Sequence, residues 1–479
     1  MGQTKNKQQE APLWARTGHK APVTRREFLA SGAIPFAATM LAPHWLQMVF
    51  ASSAKAQNAD CIITSSNLIP FITVNLSGGA GLGSNFLPHD EARQPLKTYS
   101  KMGLGDGNVP ITREFGNVPF AGAINGNNND LLSKFLQGVR EMAPTATQKT
   151  GFVGICVRSR DDSSENPFSI DGLLTKVGLQ GTNLPRLGTV DSITGSKQRS
   201  AVLPPSAPLV VNNFNDISNS LGYAASLGIA LNKNQHGVLA NFVQRLNMAQ
   251  SRKLASVSSG SDMQKVVECA GLKNTQIISG GGAVVDPRTN AGVSSVWNIN
   301  ANTSVNDDAL VFASLAFNAL QGNCGAVNID MSGFDYHDNT RTTGDRQDLL
   351  AGRTVGRILQ TAQVLNKPVF IYVSSDGAVT SPVSDDRRAP WNSDRGIAGM
   401  SYMLYFNPAG RPATSDFQIG QFTNDQAADD AFFTGANPEA AACAVFANYL
   451  QVNKKLDQFD ALAGRFIDKA NMAKVLKFA

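Results

Sequence analysis

"NDDALVFASLAFNALQGNCGAVNIDM", residues Asn306–Met331, changes period halfway. Its first part places apolar residues at helical spacing. It opens on an Asn/Asp cap near Asn306 and closes near Gly322. Its last part, "GAVNIDM" (Gly325–Met331), is apolar on both alternating faces, as a strand covered on both sides must be. The pattern then repeats. "DRQDLLAGRTVGRILQTAQVLNKP" carries Leu349, Leu350, Val355, Ile358, Leu359 and Ala362 close to a 3.6-residue period and stops before Pro368; "PVFIYVS" (Pro368–Ser374) is a second doubly apolar strand. Strand, helix, strand in this order is a βαβ unit with a right-handed crossover.

Other runs extend the same sheet. "PFITVNL" (Pro70–Leu76), "GFVGICV" (Gly151–Val157), "QIIS" (Gln276–Ser279) and "SYMLYF" (Ser401–Phe406) have the same character. "NPEAAACAVFANYLQVN" (Asn437–Asn453) reads as an amphipathic helix, Leu184–Ser220 as irregular crossing loops, and Leu239–Leu272 as a helical insertion. The expected fold class is α/β, a mainly parallel sheet flanked by helices on both faces, in one large domain over residues 57–479.

Residues 1–56 stand apart. "VTRREFLASGAIPFAATMLAPHWLQMVFASSAKA" has paired Arg25-Arg26 before Phe28-Leu29, a weakly apolar stretch, and Ala54-Lys55-Ala56. This order matches a twin-arginine-type signal peptide, cleaved after Ala56, and implies a periplasmic or extracellular address. No later segment is long and apolar enough to span a bilayer, so no transmembrane anchor is expected after cleavage. The chain's 42 Lys and Arg include seven in this segment (Lys5, Lys7, Arg16, Lys20, Arg25, Arg26, Lys55). Its 37 Asp and Glu include two (Glu10, Glu27), leaving 35 of each in the rest. Bulk charge therefore gives no reason to expect nucleic acid as a partner, and the sequence names no other. Five widely spaced cysteines form no C-x-x-C pair, and Cys156 and Cys324, set in apolar runs, are expected to be buried.

Three polar clusters follow strand ends, where ligands bind in parallel α/β sheets: "NLSGGAGLGSN", "SGFDYHDN" and "SSDGAVTS". The glycines of the first suit a tight turn. Their spacing is not the dinucleotide fingerprint, and no clear helix follows directly. The amides of Gly78 and Gly79 are candidates for holding an anion. Asp335 and His337 are two apart, so in an extended segment both side chains point the same way and can reach one divalent metal ion; a hydrogen-bonded turn histidine is the plainer reading. Asp376 and Asp394, with Asp385 and Asp386, are further carboxylates nearby in sequence. Only His89, His236 and His337 lie beyond residue 56, which limits any His-rich metal site. No serine sits in a G-x-S-x-G elbow, so a Ser-His-Asp hydrolase has no support.

These clusters, with the export signal, resemble domain of unknown function 1501, a bacterial family similar in fold to alkaline phosphatases and sulfatases. The family shows G-G-x-D-G-L-N after its first strand, then G-[FW]-D-T-H, S-E-F-G-R and G-T-D-H-G. "GFDYHDN" is retained, so the resemblance implies Asp335 and His337 as metal ligands. "LSGGAGLGSN" lacks the aspartate between Ala80 and Gly81; "VSSDGAVTS" replaces S-E-F-G-R, with Asp376 near the acidic position; "NSDRG" keeps Asp394 but has Arg395 in place of histidine. Superfamily catalysis relies on metal ions to polarise the ester and activate the nucleophile. With those ligands missing, the resemblance implies a non-catalytic or weakly catalytic binding or structural protein holding at most one divalent ion. The alternative is a metal-dependent hydrolase of phosphate or sulfate esters.

Overall fold

The computed structural model describes residues 68–90, 92, 94–96, 110–123, 130–158, 169–179, 183–185, 202, 210–221, 233–254, 285–334, 341–375, 377–379, 399–423 and 428–479. The signal segment and "QIIS" lie outside these residues. The strands are β1 (Phe71–Leu76), β2 (Ile111–Glu114), β3 (Val118–Ala121), β4 (Thr150–Cys156), β5 (Leu184–Pro185), β6 (Val327–Met331), β7 (Val369–Ser375), β8 (Met400–Phe406) and β9 (Gln418–Ile419). The helices are α1 (Leu82–Asn85), α2 (Lys134–Met142), α3 (Asp171–Lys176), α4 (Phe214–Leu221), α5 (Lys233–Leu254), α6 (Ala291–Trp297), α7 (Asp308–Gln321), α8 (Arg341–Val364), α9 (Pro438–Val452), α10 (Phe459–Ala463) and α11 (Lys469–Val475).

Among the described residues seven strands form one sheet, in the order β5-β6-β1-β7-β8-β4-β9, and β2 and β3 make a separate antiparallel pair. β5, β6, β1 and β7 are mutually parallel, and β9 runs with β4. β8 runs against both of its neighbours, β7 and β4. So the sheet is mainly parallel, but "SYMLYF" is not one of its parallel members. The reason lies in the connection. Residues 376–399 leave β7 and re-enter at β8 along the same sheet edge, and a same-edge return reverses the strand without any crossover helix.

Alternation along the strands divides the core. Ile72, Val74, Ile371, Val373, Leu404 and Phe152 point to a cluster completed by α2, α7 and α8. Phe71, Phe370, Tyr372, Val153 and Ile155 point to a second cluster, completed by α3, α9, α10 and α11. Helices thus cover both faces, which explains the doubly apolar strand sequences. α7 is capped by Asp307, whose carboxylate accepts from the Ala309 amide at 2.8 Å, and it ends at Gly322 in the left-handed conformation. α2 and α8 touch through glycine. A Cβ on Gly138 would lie 2.3 Å from the Leu349 carbonyl oxygen, and one on Gly352 would lie 2.0 Å from that of Phe135.

Four readings change. α9 is buried along Ala440–Leu450 rather than amphipathic, because the sheet (Phe71 and Phe370 meet Tyr449), α10 (Phe446 meets Phe459) and α11 (Asn448 Nδ2 donates to the Val475 carbonyl at 2.8 Å) pack around it. The segment taken for loops up to Ser220 contains α4. The Asn213 and Asp216 side chains accept from backbone amides at its start, giving this polar stretch its helical entry. The helical insertion starts earlier than expected, at Lys233; the described helix ends at Leu254, and the rest of the expected span lies outside the described residues. A helix does follow the glycine loop, the single turn α1.

Cys156, Cys324 and Cys443 are buried. Burial raises the Cys324 thiol, and it raises Cys443 to about 12, with Glu439 adding, so neither supplies a thiolate near neutral pH. Among the described residues no helix is long and apolar enough to cross a membrane.

Candidate functional site

β6, β1 and β7 end together. Leu76 is in register with Met331 on one side and Ser375 on the other, so the three polar clusters leave the sheet from one edge. One residue earlier, Asp330, Asn75 and Ser374 form a row across the same three strands. Asn75 Nδ2 donates to Asp330 Oδ1 at 2.7 Å and to Ser77 Oγ at 3.1 Å. Ser77 Oγ donates to Asp330 Oδ1 at 2.7 Å, and Ser374 Oγ donates to Asn75 Oδ1 at 3.2 Å. Asp330 and Ser77 are half-buried, and the rest of the row is buried.

The glycine loop is folded back onto this row. Gly78 and Gly79 have φ of 121° and 120°, values that only glycine adopts without strain. The turn brings the Ala80 amide to Ser375 Oγ at 2.7 Å, and that hydroxyl donates to the Leu76 carbonyl at 2.8 Å. Ser77 bridges across to the next cluster: its amide donates to the Met331 carbonyl, and its carbonyl accepts from the Phe334 amide.

Beneath the loop lies a sealed polar knot. Asn85 and Asp348 are each 2 % exposed. Asn85 Nδ2 donates to Asp348 Oδ2 at 2.7 Å and to the Gly81 carbonyl at 2.9 Å; Asn85 Oδ1 accepts from Ser133 Oγ and the Phe135 amide, each at 3.0 Å. The knot joins α1, α8 and the start of α2. Tyr402 of β8 donates to the Leu82 carbonyl, and its phenol is held well above its ordinary range by burial, with the Asp348 charge adding.

Of the expected site residues, Gly78 and Gly79 form the turn at this edge. Asp335, His337, Asp376, Asp394 and Arg395 lie outside the described residues, as do Asp385 and Asp386. Their segments begin at the edge: Phe334 is the last described residue before Asp335, and Ser375 immediately precedes Asp376. Among the described residues no group of three His, Cys, Asp or Glu is placed to hold a metal ion. His89 is a buried core histidine: its Nδ1 lies 2.8 Å from the Leu87 carbonyl oxygen, and its ring meets Phe417 edge-on.

The sequence reading passed over Asn75, Asp330, Asn85, Asp348 and Asp171. For the first two a signal was present, since a polar residue near the carboxyl end of an otherwise apolar strand faces either a site or a partner strand. Asp171, at the start of α3, is buried, and its Oδ1 has no hydrogen-bond partner among the described residues. Burial raises its carboxyl to about 6, against a smaller lowering by Ser169.

Chemically, the edge offers a hydroxyl 2.7 Å from a carboxylate, an amide side chain steadying both, and a glycine turn beside them. The chain matches no protein-family model, and comparison with curated proteins gives no match.

Proposed function

We propose that this is an exported binding or structural protein, non-catalytic or weakly catalytic, on an alkaline-phosphatase-like version of the α/β fold. One observation carries the reading. The polar groups at the carboxyl edge are occupied with one another: Asp330 with Asn75 and Ser77, Asn75 with Ser374, Ser375 with Ala80 and Leu76. Groups used this way fix the loops that leave the edge. Those loops carry Asp335, His337, Asp376 and Asp394 for a single divalent ion, and Gly78, Gly79 and Arg395 for an anion. Twin-arginine export delivers the protein folded, and residues 57–479 work outside the cytoplasm. Similarity to domain of unknown function 1501 supports the fold assignment through "GFDYHDN".

The second reading is a metal-dependent hydrolase of phosphate or sulfate esters. The contact favouring it is Ser77 Oγ on Asp330 Oδ1, a hydroxyl and a base within proton-transfer distance at the sheet edge. The test is metal analysis of the purified protein followed by assay of phosphate and sulfate monoesters with zinc, manganese, calcium and magnesium. Our reading expects at most one bound ion and negligible turnover. Robust metal-dependent turnover, lost on His337→Ala and Ser77→Ala, would establish the hydrolase instead.

A further inference from the structure

α5 carries charge of one sign. From Ile217 to Ser261 the chain contains no acidic residue, and it contains Lys233, Arg245, Arg252 and Lys253. This is a local excess in a chain whose charges balance beyond residue 56. Val238, Phe242, Arg245, Ala249 and Arg252 are all exposed, and they recur at steps of four, three, four and three. That spacing puts them on one face of the helix, with exposed Met248 beside them. The helix turns another side inward: Gly237, Gln244 and Ser251, seven apart, are partly or fully buried. Val238, Phe242 and Met248 are 71 %, 63 % and 50 % exposed. Three large apolar side chains in water on one helix are favourably removed from it by any apolar medium they can reach.

We infer that this face of α5 docks on a lipid bilayer surface carrying anionic headgroups. The choice of a bilayer over a protein groove rests on Arg245. A helix seated in a dry apolar groove presents anchors at three- and four-residue steps, and here the third would be a guanidinium. At a bilayer surface the same side chain lays its stem along the acyl boundary and reaches a phosphate with its head. Arg245 and Arg252, exposed on this face, supply the attraction to anionic lipid. The same cations keep the helix from crossing, so it lies in the plane of the interface.

The experiment uses the full chain and reads α5 directly, because the basic, apolar residues 1–56 would contribute to bulk vesicle binding. Phe242→Trp is mixed with vesicles of phosphatidylglycerol and phosphatidylcholine in equal parts, with and without brominated acyl chains. The indole introduced at position 242 should shift to the blue and be quenched by the brominated lipid. With phosphatidylcholine alone the quenching should be lost. Val238→Ser with Met248→Ser, and separately Arg245→Gln with Arg252→Gln, placed on the Phe242→Trp background, should each weaken the response at least about tenfold. Circular dichroism verifies that each variant is folded, as changes at exposed positions should allow. An unquenched indole overturns the proposal, including the case where this face docks on an acidic protein. Equal quenching by neutral vesicles overturns the assignment of anionic headgroups.

Discussion

Two polar networks lie close together in this protein and are built differently. The row Asp330–Asn75–Ser374 runs across the ends of three strands, and its carboxylate, with Ser77, is half open to solvent. The knot of Asn85, Asp348 and Ser133 sits below it with its side chains sealed. Water can replace a partner lost at half-buried Asp330 or Ser77 but not one lost in the knot. An unmet hydrogen bond is therefore cheap at the edge and expensive beneath it. The open row is where chemistry can change; the sealed knot holds α1, α2 and α8 in place while it does.

The strongest way to break this contrast is Asn85→Leu. It removes the Nδ2 donor that reaches Asp348 and leaves the Ser133 hydroxyl and Phe135 amide without their acceptor. Leaving buried hydrogen-bonding groups without a partner costs about 1–3 kcal/mol each, which the urea midpoint of unfolding would report.

Asp171 tests burial through pH. Folded Asp171 keeps its proton up to about pH 6, whereas an unperturbed carboxyl, at 3.8, has already released it. The folded state therefore binds the extra proton, and stability falls as pH rises through that window. Asp171→Asn abolishes the fall. It should stabilise the protein by about 2–3 kcal/mol at pH 8, at roughly 1.4 kcal/mol per pKa unit, and by almost nothing at pH 4. Thermal melts at both values check it, and an equal gain at the two would remove titration as the cause.

Ser375→Ala stands between the two networks. It strips an acceptor from the Ala80 amide and a donor from the Leu76 carbonyl, both at a buried position. A loss of about 1–2 kcal/mol is expected, accompanied by faster hydrogen exchange confined to the glycine turn.

Asp330→Asn should do least to the fold. Its amide oxygen can still accept from Asn75 and Ser77, and the site is partly solvated, so the change in unfolding free energy should stay below about 1 kcal/mol. A cost matching that of Asn85→Leu would erase the distinction between the open row and the sealed knot.

β1, β4, β7 and β8 were readable because burial on both faces leaves a signature in each strand itself, and β6 was read with them although one of its faces is only half-buried; the short β2, β3, β5 and β9 were missed. α7 and α8 were readable too, where cap residues and apolar spacing agree. The direction of β8 was not readable, since it depends on which edge the 376–399 connection returns to, and no residue of "SYMLYF" records that. α9 misled for a related reason: an alanine-rich helix looks two-sided until a second helical layer covers its outer face. The three loop clusters were correctly placed at strand ends, and the register of β6, β1 and β7 brings those ends together. The knot of Asn85 and Asp348 joins residues 263 positions apart, and no local pattern encodes such a pairing.

The same-edge return between β7 and β8 has a consequence for how this scaffold can be rewritten. Extending the β7–β8 register by two residues sets Ser375 opposite Met400, so residues 376–399 begin and end on adjacent strands about 5 Å apart. Chain inserted or deleted between two such fixed points leaves every strand pairing intact, and doubling its length adds only about 0.6 kcal/mol of closure entropy. Ala378 and Val379, just past this edge, are buried, Val379 within the core, so a graft that keeps the sheet intact should enter beyond them, between Val379 and Gly399.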